Sequence, residues 1–341
     1  MIKVNNQNRY VVLDALRFIA AIAVVFYHYS IFYSSSNIII NTISKYGYLG
    51  VNFFFLLSGF VIMASAQNRS PFEFAFARAN RIYPAFIICL IFTVCMLTFI
   101  KGHSFDSKQL ILNALILNDY FDVENIDGVY WTLQAELKFY ACIFLLMLTG
   151  VFSFWRYWLS FWLLLAVIHY FWGQPTFMGW FINPGYSFYF IGGVSAYLLS
   201  KFPKDVYVHL IFMISLIFGF LAAQQQTSDF LKAVGSKEEI IAGGIVIIFY
   251  GFFYCLIKGF FKIPESRLIL TLGAISYPIY LTHNMAGKAI IELFTGRVDV
   301  PILLLCVILF IMLFSFFVCL AERKIWSVIQ LLKLSIQKYK S

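Results

Sequence analysis

Few residues carry charge inside the long apolar stretches of this sequence, and those few are of types that do chemistry. They are Asp14, Arg17, His28, Glu136 and Lys138, with His169 and His283 near the ends of apolar runs. Ionisable groups at membrane depth are costly and mark function or tight pairing. Arg17 and His28 are eleven residues apart. Eleven helical steps of about 100° return to within roughly 20° of the starting direction, so both side chains share one face, about 16 Å apart along the axis. An imidazole serves as general base or nucleophile near neutral pH, and a guanidinium offers phosphate a planar fork of donors. Asp14, one turn before Arg17, is placed to hold it. A plainer arrangement fits the same residues: an Asp-Arg pair that fixes helix packing, and a histidine in an aromatic belt with Tyr27 and Tyr29.

Three further segments carry candidates. In Phe76-Ala-Arg-Ala-Asn-Arg-Ile-Tyr-Pro84, Arg78 and Arg81 stand three residues apart just before an apolar run. That spacing near a helix start suits a diphosphate clamp, and it equally suits flanking charge with Pro84 opening a helix. In Tyr130-Trp-Thr-Leu-Gln-Ala-Glu136-Leu-Lys-Phe-Tyr140, Glu136 lies about two turns into a helix, at a depth comparable with His28. A carboxylate there can orient an imidazole as in a hydrolase triad, or pair with Lys138. Asn52 and Ser58 lie in a run whose Gly50 and Gly59 permit close helix approach, and they are possible polar members of a site. Ile275-Ser-Tyr-Pro-Ile-Tyr-Leu-Thr-His283 puts Pro278 inside an apolar run, where it bends a helix, and His283 either lines the same cavity or is structural. No P-loop, dinucleotide fingerprint, HExxH or GxSxG is present, and the six cysteines have no metal-ligand spacing.

Composition decides what kind of element carries these residues. Of 341 residues, 62% are hydrophobic, 20% aromatic and only 12% charged, with a mean hydropathy of +0.84. That is half the usual share of charge and excludes an ordinary soluble domain. The chain reads as one all-α, polytopic membrane domain over residues 1–341, with no fused extracytoplasmic domain. About ten spans are expected, at 11–32, 48–66, 83–100, 130–150, 157–172, 184–200, 207–224, 239–258, 268–290 and 301–321. Residues 109–118 are apolar but too short to span. With the N-terminus inside, sixteen of the 25 basic residues fall in inner segments and seven in outer ones. The positive-inside rule then sets both termini in the cytoplasm of a plasma (inner) membrane protein, and the net charge of +9 is mostly topological, with no nucleic acid as partner. The longest outer loop, about 101–129, is acidic and is where an extracytoplasmic substrate would be met.

Together these motifs resemble acyltransferase family 3, integral membrane proteins that O-acylate surface and secreted glycans. The resemblance rests on Leu13-Asp-Ala-Leu-Arg17 with His28 beyond it, Gly50-Val-Asn-Phe-Phe-Phe-Leu-Leu-Ser-Gly-Phe-Val-Ile62, Arg78-Ala-Asn-Arg81-Ile-Tyr-Pro, Trp131-Thr-Leu-Gln-Ala-Glu136 with Phe139-Tyr140, and Ser276-Tyr-Pro-Ile-Tyr-Leu-Thr-His283. It implies transfer of an acyl group, usually acetyl, from cytoplasmic acyl-CoA as co-substrate to a hydroxyl on the outer side of the membrane. It implies that Arg17 and His28 form a functional pair, that Arg78 and Arg81 engage the donor, and that Glu136 is the site carboxylate. Two positions depart from the family: Leu137 stands where a second acid is usual, and Asn52 where Asp is common.

The resulting expectation is that CoA phosphates sit among Arg17, Arg78 and Arg81 while the pantetheine arm runs along the Arg17/His28 face. His28, oriented by Glu136, acts as base or forms an acyl-histidine; Asp14, Asn52, Ser58, Tyr140 and His283 support the site, and no metal takes part. The acceptor is a glycan or lipid-linked sugar. A transporter or flippase is the alternative, and would show an inverted repeat and paired broken helices. A noncatalytic receptor would need neither the Arg17/His28 register nor the arginine pair.

Overall fold

The computed structural model of the chain describes residues 6–33, 37–174, 176–231, 236–261, 264 and 266–340, apart from the side chains of 6–10, 236 and 326–340. Among the basic residues weighed for sidedness, Lys3, Lys232 and Lys262 lie outside the described residues. Fourteen α-helices fill the described chain, and no strand occurs among these residues. In chain order they are α1 (Asn6–Tyr29), α2 (Ile38–Tyr46), α3 (Gly50–Ala66), α4 (Pro71–Lys101), α5 (Ser107–Leu115), α6 (Trp131–Leu148) and α7 (Trp155–Trp172). There follow α8 (Met178–Phe181), α9 (Ser187–Lys201), α10 (Val206–Leu231), α11 (Ser236–Ile257), α12 (Arg267–Thr282), α13 (Met285–Phe294) and α14 (Val300–Lys340).

The bundle is organised around α3 and α9, whose residues are almost all buried. Glycine makes this possible: a Cβ at Gly59 would strike the Phe190 carbonyl, and one at Gly193 the Leu56 carbonyl. Backbone-to-backbone approach of this kind is how helices gain contact where lipid offers no hydrophobic drive. The outer surface carries Ile91, Phe99, Leu145, Phe161, Ile248, Leu305 and Leu313, each half exposed or more. Such a girdle suits lipid rather than water. Among the described residues seven helical segments are long and apolar enough to cross a membrane: Val11–Tyr29, Ile38–Ala66, Pro71–Lys101, Gly128–Leu148, Val206–Leu231, Lys237–Ile257 and Val300–Ile325. The chain is therefore an all-helical polytopic membrane protein.

Three of the expected spans are not among these seven segments. The segment 157–172 falls on α7, where Trp, Tyr and His dilute the hydropathy, and 184–200 falls on α9, whose 15 residues reach only about 22 Å. The segment 268–290 is broken into α12 and α13 at His283 and Asn284. The expected opening of the third span at Pro84 is also corrected. Its helix begins at Pro71, because the Ser70 hydroxyl accepts from the Glu73 amide while the Glu73 carboxylate accepts from the Ser70 amide. This capping box carries the helix through the basic segment, so Arg78 and Arg81 project from within α4, and Pro84 lies inside it.

Candidate functional site

A cleft opens among α1, α3, α4, α6 and α12. Its polar wall is made by Arg17, Ser58, Arg78, Arg81, Glu136, Tyr140, Ser276, Tyr277 and Tyr280, and its apolar wall by Phe54, Phe55, Leu57, Val61 and Leu133 among others. About 870 Å³ of empty space lies in it, including its open mouth. Four of the five sequence-predicted principal residues meet here, and His28 stands beyond.

Each arginine is held differently. Arg17 Nη1 donates to Asp14 Oδ1 at 3.2 Å, the expected pair one turn apart. A Cβ at Gly273 would strike the Asp14 side chain, so α12 presses against this pair. Arg81 Nη1 lies 3.5 Å from Glu322 Oε1 of α14, and its guanidinium sits 5.7 Å from the centre of the Tyr277 ring. Arg78 has no acidic partner among the described residues, and its Nε is buried without a hydrogen bond. A guanidinium nitrogen with no protein partner in a cleft keeps a donor for an incoming anion.

Glu136 does not meet His28. Its Oε1 accepts from Ser58 Oγ at 2.8 Å and from the Tyr140 hydroxyl one turn along α6. Lys138 is not its partner either, since its Nζ reaches Asp119 Oδ2 at 3.3 Å and the Gly179 carbonyl at 2.9 Å and lies over the Tyr120 ring. The expected orientation of His28 by Glu136 is thus replaced by a Glu136–Ser58–Tyr140 cluster on the cleft wall: Ser58 and Tyr140 present hydroxyls to the carboxylate directly. Asn52 lies outside the cleft, where its Nδ2 donates to Gln226 Oε1 at 3.0 Å, joining α3 to α10.

The neighbour of His28 is His283. Their ring centres are 5.1 Å apart, and His283 in turn lies 5.6 Å from Tyr280 on the cleft wall. His283 is fully buried at the α12–α13 break. Its Nδ1 lies 2.8 Å from the Tyr280 carbonyl and 3.2 Å from that of Ile279. Both are acceptors, so Nδ1 carries the hydrogen and Nε2 the lone pair. That Nε2 is buried and has no hydrogen-bond partner. The Tyr29 hydroxyl donates to the His283 carbonyl at 2.9 Å.

The break is held by Asp127, which in the sequence reads only as loop acidity. Its carboxylate is fully buried and accepts from Asn284 Nδ2 at 2.7 Å, the Met285 amide at 2.8 Å and the Val129 amide at 3.2 Å. It thereby caps α13, whose N-terminus favours a negative charge. Burial pushes the Asp127 carboxyl above the usual carboxylate range, against the pull of these bonds and of the Lys288 charge. Asp127 followed by Gly128 and an apolar run was the available signal, a cap before a helix. Replacing Asp127 with alanine strands three buried donors and is expected to cost about 3 kcal/mol, lowering the thermal unfolding midpoint in detergent. Asp127→Asn, which keeps one acceptor oxygen, should lose less. An unchanged midpoint in the alanine variant contradicts this cap.

Among the described residues no three His, Cys, Asp or Glu side chains converge as a metal-ligand set. No curated protein and no solved structure matches the chain. A family model described as an acyltransferase domain, that of acyltransferase family 3, matches residues 10–321. With nearly its whole length covered by that model, the chain belongs to acyltransferase family 3.

Proposed function

We propose that this acyltransferase moves an acyl group, acetyl in the first instance, from cytoplasmic acyl-CoA to a hydroxyl of a glycan or lipid-linked sugar on the outer side of the plasma membrane. The observation that carries the reading is the cleft itself, with Arg17 of α1 and Arg78 and Arg81 of α4 in its wall, and His28 about 16 Å beyond Arg17 along the same face of α1. In this reading the Arg78 end faces the cytoplasm, as the distribution of basic residues favours. The diphosphate of CoA lies against Arg78, with Arg17 and Arg81 turning from Asp14 and Glu322 toward it. The narrow pantetheine arm extends through the apolar part of the cleft past Glu136, whose carboxylate is an acceptor for its amide N–H groups.

At the far end His28 takes the proton of the acceptor hydroxyl as its oxygen attacks the thioester carbonyl. The carbon–sulfur bond breaks, and the CoA thiolate leaves with the proton that His28 held. A covalent acyl-histidine is the variant of this step, with His28 nitrogen attacking first and the hydroxyl second. Mass spectrometry of the cell-surface glycans with and without the gene tests the proposal. The expected result is loss of an acyl substituent from one sugar, and identical glycans refute a glycan acceptor.

A further inference from the structure

The group that faces His28 is a second imidazole, and its state is fixed by its surroundings. His283 is buried, its Nδ1–H is spent on two main-chain carbonyls, and its carbonyl receives the Tyr29 hydroxyl. The next two residues, Asn284 and Met285, are pinned by Asp127. These contacts leave an unpaired Nε2 lone pair in a dry setting. A buried acceptor without a donor is uncommon and calls for an explanation in strain or chemistry. A hydrogen bond of ordinary length between two imidazoles separates their centres by roughly 5 Å. The rings of His28 and His283 are 5.1 Å apart and tilted by 54°, which is the separation such a bond requires.

From this arrangement we infer that His283 is a positioning residue for His28: its Nε2 accepts a hydrogen bond from one ring N–H of His28 and so leaves the other His28 nitrogen bare to act on substrate. The inference deepens the proposed transfer and rests on it for the role of His28. When His28 takes the hydroxyl proton it becomes an imidazolium, and its N–H bond to the neutral His283 strengthens. When the thiolate departs, the proton returns to sulfur and His28 regains its tautomer. His283 neither gains nor loses a proton, so it does for His28 what a buried carboxylate does in a hydrolase triad, without bringing a negative charge into the membrane. The assignment gives a function to the helix break: a continuous α12–α13 would supply no cap at Asp127 and would not hold the ring by this route.

His283→Leu and His283→Gln, alone and in a His28→Ala background, test the inference. Leucine fills the site without an acceptor, while glutamine offers an amide oxygen. His283→Leu is expected to lower kcat about 10- to 100-fold, the worth of one charge-assisted hydrogen bond, with KM for acyl-CoA unchanged. His283→Gln should recover part of the loss. In the His28→Ala background His283→Leu should have no further effect. Equal activity of the leucine and glutamine variants, or the same fold loss with and without His28, overturns the inference.

A second readout does not depend on the donor. The ring ¹⁵N signals of His28, assigned among the five histidines by comparison with His28→Ala, should shift on His283→Leu. An unchanged pair of signals overturns the pairing. Absence of acyl-CoA-dependent transfer by the unmodified protein, with that shift present, refutes the proposed reaction while supporting the pair.

Discussion

His28→Ala is expected to reduce acyl transfer by about 10²- to 10⁴-fold, the usual worth of a positioned general base, and more if an acyl-histidine forms. The ring packs against Tyr27 and His283 at the end of α1, at the far end from the arginines of the cleft. Its loss should therefore leave donor binding intact. Transfer rate and acyl-CoA affinity, measured on the same purified protein, separate the two. Full activity in the variant rules out both the base and the covalent version, whereas a parallel loss of affinity would mean that His28 belongs to the donor site.

The second large effect is expected at the other end of the cleft. Arg78 is the cleft arginine that no acid neutralises among the described residues, and its buried Nε is unmatched. Removing its charge-assisted bonds to a diphosphate should weaken acyl-CoA affinity by about 10- to 100-fold. Arg81→Ala and Arg17→Ala should cost less, because each already shares its charge with Glu322 or Asp14, and binding by those arginines must first loosen these pairs. The signature of an Arg78→Ala variant is a raised KM for acyl-CoA with kcat at saturation little changed. A truncated donor supplies the control. An acyl-pantetheine without the nucleotide phosphates should react equally well with the variant and the unmodified protein. An unchanged acyl-CoA titration in Arg78→Ala contradicts the phosphate clamp.

Much of this is legible in the sequence, and the gaps have identifiable causes. The Arg17/His28 register comes from helical geometry alone and involves no tertiary contact, so it can be read directly. The Asp14–Arg17 pair is of the same kind. Hydropathy locates the apolar helices because the solvent on their outer faces is lipid, but it blurs where helices are short or rich in Trp and Tyr, as in α7 and α9. Taking the charged segment around Arg78 as the end of a helix misplaces the start of α4. Ser70-Pro-Phe-Glu73 is the stronger signal, since a capping box overrides the polarity of the residues after it.

Partnership across helices is not legible. Glu136 has two candidate partners in the sequence, His28 and Lys138, and packing gives it neither of them but Ser58 and Tyr140. Asn52, six residues before Ser58 in the same motif, points instead to Gln226, since a helix turns about 600° between them and faces a different neighbour. Pro278 suggests a bend, yet α12 continues through it and ends at Thr282, where Asp127 supplies an external cap. The sequence around Asp127 shows the cap that it offers its own neighbours, but not the helix 158 residues away that it also caps.

The central claim is that an acyl group enters a membrane-embedded cleft at its arginines and is transferred beside His28, which stands beyond that cleft. Purified protein inserted in vesicles in one orientation, with acyl-CoA confined to the side of Arg78 and a hydroxyl acceptor confined to the other, tests it most directly. The account predicts acylated acceptor in the compartment that contains no CoA, and free CoA released in the donor compartment. Product that forms only when donor and acceptor share a compartment would contradict it.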